Sequence, residues 1–404
     1  MTKALTTKFS RRKILAGGVA AGAFGAASVL PTRFAIAGKA PIKIGILLPY
    51  SGTYAMLGNS ITDAFKLRME IAGNTMGGRP VEYSVIDSEM SVPKAPQNTN
   101  KLIRRENVDF IVGPVHSGIA QAMAKIIGKR KSPIMVVPNA GSNKVTGELC
   151  APNIFRTSFS NWQPSYPGGK VMADDGHKTA VTISWKYAAG IQMMDAGKSG
   201  FEDNGGTVLK QLYVPFPDVE FQALLSEIAA LKPDAVFSFF SGGGAVKFVK
   251  DYAAAGLKDT IPLYGPGFLT EGVAQAQGDA AEGIKTTLHY STELTNPTNI
   301  AFKAAYEKAT GRAANVFAVQ GYDTASLLLQ AAAVVGGEVD STDAIIHALE
   351  NTHVPDSPRG PWRMSTAHNP IQDIYLRQVV GGQHKVLGVA AEALEDPATG
   401  CKLV

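Results

Sequence analysis

Of the 404 residues, 39 are Lys or Arg and 34 are Asp or Glu, a formal net charge of +5. Six of those bases, Lys3, Lys8, Arg11, Arg12, Lys13 and Arg33, and no acid fall within residues 1–37, so the remainder holds 33 bases against 34 acids. With that segment set aside, nothing in the charge favours nucleic acid or an anionic membrane surface as a partner, and about 365 residues suffice for two domains with cores of their own.

Residues 1–37 read as an address. Ser10-Arg11-Arg12-Lys13-Ile14-Leu15 precedes a Gly/Ala-rich apolar run from Ala16 to Leu30, and Ala35-Ile36-Ala37 offers small residues for cleavage. This is the pattern of a twin-arginine export signal, with a mature chain starting near Gly38 in the periplasm. The run is short and poor in Leu for a bilayer span, so the chain is not expected to be membrane-embedded. Two cysteines follow, Cys150 and Cys401. In an oxidising compartment they read as one disulfide; the other reading is two buried thiols.

From Lys43 onward strands alternate with helices. Ile44 to Leu48 is a continuous apolar run, as expected of a strand covered on both faces. The loop 49–54 leads into a helix from Met56 to Asn74. A strand over 81–86 and a helix over 92–106 come next. Phe110-Ile111-Val112 is a strand that breaks at Gly113-Pro114, and Ser117 opens a helix from Gly118 to Lys129. This order leaves unpaired N–H groups at the sheet's carboxyl edge, where an anionic group can bind without a lysine. The strand 134–137 ends on Pro138-Asn139-Ala140-Gly141-Ser142-Asn143, and 155–157 ends the first half.

A second set of units begins after Asn161-Trp162: helix 166–175, strand 179–185, a helix to Asn204, strand 207–214, helix 221–231 and strand 235–240. Ser241-Gly242-Gly243-Gly244 opens a helix to Ala255. A short strand, 262–264, precedes Gly265-Pro266-Gly267-Phe268. Two runs of βαβ units predict two similar α/β lobes with parallel-core sheets. Helices at 298–310, 318–335 and 341–349 read as cover for the first sheet. Strands at 362–364, 374–380 and 386–389 read as additions to existing edges. The chain then crosses between lobes near Ser158, Thr287 and His368. The expected bodies are 38–158 plus 288–368, and 159–287 plus 369–404.

Motifs for catalysis are weak. Gly197-Lys198-Ser199 lacks the first glycine of a phosphate loop and falls mid-helix. The seven histidines show no metal-ligand spacing, no G-x-S-x-G elbow is present, and no cofactor is expected. Gly242 to Gly244 is either a tight turn or a place of close backbone approach to a ligand. His116 is either a solvated turn residue or a cleft contact. Tyr54, Trp162, Tyr187 and Phe268 all fall where strands end and helices begin, the position of pocket-lining aromatics.

In order along the chain, Ile44-Gly45-Ile46, Ser51-Gly52-Thr53-Tyr54-Ala55, Val112-Gly113-Pro114, Val137-Pro138-Asn139-Ala140, Trp185-Lys186-Tyr187-Ala188-Ala189-Gly190 and Gly321-Tyr322-Asp323-Thr324 together resemble the type I periplasmic binding proteins of the branched-chain amino acid transporter class. The resemblance implies two Rossmann-like lobes, joined by a three-crossing hinge, that close on a small molecule for delivery to a membrane ABC permease. It implies that His116 and Ser117, with Ala140, Gly141 and Ser142, hold a ligand carboxylate. Trp162, Tyr187, the Ser241-Gly242 turn and the Gly267-Phe268 turn would cover it from the other lobe. Members that bind amino acids carry an acid in a Gly-Pro-Glu-Gly turn; here the turn reads Gly265-Pro266-Gly267-Phe268. A buried ammonium without a carboxylate would cost several kcal/mol, so a free amino acid fits poorly. The sequence from Val214-Pro215 through Ser241-Gly242-Gly243 also resembles the branch of this family associated with aromatic acids, and that resemblance implies a ligand similar to benzoate or hydroxycinnamate. The alternatives are a branched-chain or other hydrophobic amino acid, or a role as ligand sensor for a membrane kinase. An enzyme is a further, less supported alternative.

Overall fold

The computed structural model of the chain describes residues 39–404, and the expected export signal lies outside them. Short apolar runs form the strands of two sheets. The first holds β1 (Ile42–Leu48), β2 (Thr75–Met76), β3 (Arg79–Asp87), β4 (Phe110–Val112), β5 (Ile134–Val137) and β6 (Ile154–Arg156), in the order β2-β3-β1-β4-β5-β6. All its pairs are parallel except the β2–β3 hairpin. The second holds β7 (Thr179–Trp185), β8 (Thr207–Val214), β9 (Ala235–Phe239), β10 (Leu263–Pro266), β11 (Lys285–Leu288), β12 (His353–Val354), β13 (Trp362–Met364), β14 (Pro370–Val380) and β15 (Gln383–Leu394). Its order is β12-β13-β14-β11-β10-β9-β7-β8, with β15 also on β14. The strands from β8 to β11 are parallel; β14 joins them antiparallel and continues into an antiparallel hairpin with β15.

Helices cover both faces, as a parallel sheet requires. On the first sheet these are α1 (Ala55–Ile71), α2 (Ala95–Lys101) and α3 (Ser117–Ile127); on the second, α4 (Tyr166–Asp174), α5 (Ala188–Glu202), α6 (Gln222–Leu231), α7 (Gly242–Ala254) and the single-turn α8 (Ala274–Gln277). The chain then returns through α9 (Pro297–Thr310), α10 (Val316–Val334) and α11 (Thr342–Glu350), with α10 packed along α1. One apolar cluster, including Leu47, Leu102, Ile111, Ile119 and Met135, fills one face of the first sheet. The other cluster runs from the opposite face into the second lobe. Among the described residues no helix is long and apolar enough to cross a membrane.

Several expectations need correction. The helix expected over 92–106 is shorter: Pro93 disfavours helix at Val92, α2 starts at Ala95, and its end widens into a π-type turn over Leu102–Glu106. The strand 362–364, expected with the first lobe, pairs through Arg363 and Met364 with Ile371 and Pro370 and so joins the second sheet. The last strand is twelve residues long. Its Gly388, Ala390 and Ala391 carry no β signal; pairing with β14 makes them a strand.

Where the chain passes between the sheets, buried side chains tie the segments together. Arg359 donates to the carbonyls of Thr157 (2.6 Å) and Ser158 (3.1 Å) and to Gln372 Oε1 (2.8 Å), and is ion-paired with Asp323 at 3.0 Å. Gln372 Nε2 donates to the same Ser158 carbonyl at 2.6 Å, and Gln163 Nε2 to that of Pro370 at 2.8 Å. Cys150 and Cys401 form a disulfide, with Cα atoms 5.5 Å apart, that links the last residues to the loop after β5.

Candidate functional site

The parallel strands of both sheets end toward one another, which is where open α/β sheets bind ligands. After β4 the chain turns at Gly113, whose φ of +149° suits only glycine and whose Cα faces the Leu47 carbonyl too closely for a Cβ. His116 then caps α3, its Nδ1 accepting the Gly118 N–H at 3.0 Å. Ser117 is the first helical residue. Among the described residues no protein acceptor takes the N–H of Ser117, Gly141 or Ser142.

A small cavity lies here, about 30 Å³ as swept by the centre of a water-sized sphere. The first lobe lines it with Tyr54 and Leu57 from the start of α1, Val115 and Ser117 before and at the start of α3, Asn139 and Gly141 after β5, and Phe317 from the start of α10. The crossing segment adds Phe159 and Asn161. The second lobe adds Tyr187, Ala189 and Met193 around the start of α5, Phe239 and Ser241 after β9, and Phe268 after β10.

Six of the expected residues therefore meet at one cavity: Tyr54, Ser117, Gly141, Tyr187, Ser241 and Phe268. The other six are not among its lining. His116 stands behind it, its ring against Tyr187 (4.8 Å) and Phe216 (5.3 Å). Ala140 donates its N–H to the Pro114 carbonyl at 3.1 Å. Ser142 Oγ accepts from Gln121 Nε2 at 2.8 Å. Gly242 abuts the Thr53 carbonyl, and the Gly267 carbonyl accepts from Arg377 at 3.2 Å. Trp162 turns away and stacks on Tyr166, with ring centroids 5.0 Å apart. The chain bends at Asn161 and Trp162 and turns toward α4, the Gln163 N–H donating to the Ser160 carbonyl at 3.1 Å, so that Phe159 and Asn161 line the cavity and Trp162 does not.

No lining residue carries a charge. The first carboxylate after the Gly265 turn is Glu271, which is buried and engaged elsewhere. It is ion-paired with Arg377 at 2.7 Å and accepts the Val316 N–H at 2.8 Å. Burial pushes its carboxyl up, but the Arg377 charge and the hydrogen bonds from Arg377 and the Val316 N–H outweigh that and leave it below the usual carboxylate range. Two lining polar atoms, Asn161 Oδ1 and Ser241 Oγ, are buried without a protein partner. The Tyr54 and Tyr187 hydroxyls, one from each lobe, are 3.0 Å apart. Burial raises both pKa values, so both stay protonated. Phe216 packs on both rings, at 5.7 and 4.8 Å.

Burial lowers His116 from its ordinary 6.5 to about 4, and His384 likewise, with the Arg377 charge adding to the effect. His289 and His368 are also lowered, chiefly by burial. Each is neutral in the folded chain and takes up its proton first in the unfolded chain. Between about pH 4 and 6.5 the unfolded state therefore binds more protons, and stability falls as pH falls. The expected outcome is a urea midpoint that is flat above pH 7 and falls toward pH 4.5, with the raised carboxyl of Asp323 offsetting part of the histidine effect. A midpoint unchanged from pH 7.5 to 4.5 would contradict the burial of these rings.

The sequence matches the family described as "Periplasmic binding protein" over residues 41–383, and the chain belongs to that family. It is 31% identical over 345 residues to Leu/Ile/Val-binding protein homolog 6 of Brucella melitensis biotype 1, covering 84% of this chain and 87% of that one. Among solved structures it is similar to the solute-binding protein of an ABC transporter from R. palustris in complex with benzoate. The identity is 49% and the TM-score 0.87, covering 90% of this chain and 99% of that one. A solute-binding protein from Rhodopseudomonas palustris BisB5 in complex with 3,4-dihydroxybenzoic acid is 31% identical, with a TM-score of 0.83, covering 88% and 99%.

Proposed function

We propose that this chain is the periplasmic solute-binding subunit of an ABC importer, not an enzyme, and that its ligand is an aromatic carboxylate of the benzoate class. The observation that carries the reading is a cavity walled by Tyr54, Phe159, Tyr187, Phe239, Phe268 and Phe317 that contains no charged side chain. The acid group lies against the start of α3 and the loop after β5, where the N–H groups of Ser117 and Gly141 and the Ser117 hydroxyl can donate to it. The ring occupies the aromatic walls. An amino acid would bring an ammonium for which the cavity offers no counter-charge. The relatives that hold benzoate and 3,4-dihydroxybenzoic acid support the same class. The twin-arginine reading of residues 1–37 supplies the route of export, and a membrane permease is the partner.

The test is a calorimetric titration with benzoate, 4-hydroxybenzoate, 4-hydroxycinnamate and leucine. Aromatic acids are expected to bind and leucine to give no heat. Tight leucine binding with silent aromatic acids would overturn the reading.

Closure of the two bodies, 38–158 plus 288–368 and 159–287 plus 369–404, is the proposed response to ligand, with 362–364 moving with the second. Gly242 sits where they meet. Its φ is +58°, and a Cβ there would lie 2.5 Å from the Thr53 carbonyl of the other lobe. Gly242→Ala is expected to weaken benzoate binding about tenfold or more, because the clash exists only when the lobes are together. The empty protein should lose only the small cost of a left-handed alanine, about 1–2 kcal/mol of stability. Unchanged affinity in calorimetry would show that the contact is not part of the bound form.

A further inference from the structure

We propose that Gln192 is the positioning residue that couples the acid-binding end of the cavity to lobe closure. This rests on the reading of the cavity as the ligand site. Gln192 lies in the first turns of α5, between the lining residues Ala189 and Met193, but is not itself part of the lining. Its Oε1 accepts two hydrogen bonds: one from the backbone N–H of Asn143 at 3.0 Å, the other from Asn161 Nδ2 at 2.8 Å. Asn143 belongs to the loop after β5 in the first lobe and Asn161 to the crossing segment. One carbonyl of the second lobe thus holds two parts of the wall opposite.

The chemistry fixes which atoms face each other. A backbone N–H can only donate, so the Gln192 atom facing Asn143 is an oxygen. The Asn161 atom facing that oxygen is then its amide nitrogen. This nitrogen also lies 3.4 Å from Ser117 Oγ, which leaves the Ser117 proton free to point at a ligand acid group. The remaining Asn161 oxygen is the buried, unpartnered atom on the Gly141 side. Asn143 Oδ1 accepts the Trp162 N–H at 3.1 Å, locking the loop to the crossing segment. The Gln192–Asn143 and Asn161–Ser117 contacts each bridge the two proposed bodies, so they are made when the bodies are together. A ligand that orders Ser117 therefore favours closure, and loss of Gln192 removes that preference.

The experiment compares wild type, Gln192→Met and Gln192→Glu. Methionine keeps the length and loses the acceptor; glutamate keeps an acceptor that can serve both donors. Benzoate is titrated by calorimetry and its release timed by stopped flow. Gln192→Met should bind about tenfold more weakly or worse, mostly through faster release. Gln192→Glu adds a negative charge near the ligand acid, so it is read by amide exchange in the empty protein, where Asn143 should stay as protected as in wild type. Equal affinity of the methionine variant, or Asn143 exchanging as fast in the glutamate variant as in the methionine variant, overturns the proposal. Amide exchange at 141–146 separates this from the ligand reading. If wild type takes no benzoate, the ligand class is wrong, and the clasp stands only if Asn143 is better protected in empty wild type than in Gln192→Met. Equal protection overturns it.

Discussion

Replacing Ser117 by aspartate is expected to abolish benzoate binding, with at least a hundredfold loss of affinity, while the empty protein still folds. Ser117 is buried, opens α3 and lines the cavity. An aspartate there would put a fixed negative charge beside the place proposed for the ligand acid. Two such charges 4 Å apart repel by about 4 kcal/mol at an effective dielectric constant of 20. The cavity has no cation to offset this. Burying that carboxylate in an uncharged cavity costs stability, offset in part by its place in the first turn of α3, so the empty variant should fold but melt lower. Ser117→Ala separates charge from hydroxyl. It keeps the backbone N–H and loses one hydrogen bond to an anion, so affinity should fall about tenfold. Calorimetry with benzoate and a thermal melt measure both effects. If the aspartate variant binds within tenfold of wild type, the acid group lies elsewhere in the cavity.

The second large effect concerns stability. The Cys150–Cys401 bridge spans 251 residues of sequence, so it removes much freedom from the unfolded chain. A bridge of this kind typically contributes about 2–4 kcal/mol. For a chain of this length that corresponds to roughly 3–5 °C in melting temperature. The double variant Cys150→Ser/Cys401→Ser is expected to melt lower by that amount. Neither cysteine lines the cavity, so benzoate affinity should not change. An unchanged melting temperature would mean that the final residues already unfold on their own before the rest. Loss of ligand binding would mean that the tail supports the loop after β5, two residues of which, Asn139 and Gly141, line the site.

Much of this was legible in the sequence because the physics involved is local. The apolar run of β1, the strand and Gly-Pro turn at Phe110–Pro114, and the start of α7 at Ser241 each carry their own signal. Tyr54, Tyr187 and Phe268 stood out because aromatics at strand ends have few other uses. What was missed depends on geometry over distance. Trp162 was preferred to Asn161 on residue type, and the bend at these two residues that decides which of them lines the cavity has no local sequence mark. Phe317 comes from a helix about 160 residues from the crossing segment, and no local pattern marks it. The missing acid at Gly267 was read correctly as a local fact. Glu271, four residues on, could be dismissed only once Arg377 was seen beside it. The twelve-residue β15 was underestimated because its partner strand, not its composition, defines it.

The tied segments at the crossings have a consequence for how the state of the molecule can be read from outside. The carbonyls of Thr157 and Ser158 are held by Arg359, and Gln372 shares the second of them. The Gln372 bonds to Ser158 and Arg359 bridge the two proposed bodies, so twisting one against the other would break them, whereas bending about the line through them would leave them in place. Motion of the proposed bodies would then be reduced to a single coordinate, like a book opening on its spine. A permease of the proposed kind that touched both covers would need to sense only one angle to tell a loaded carrier from an empty one.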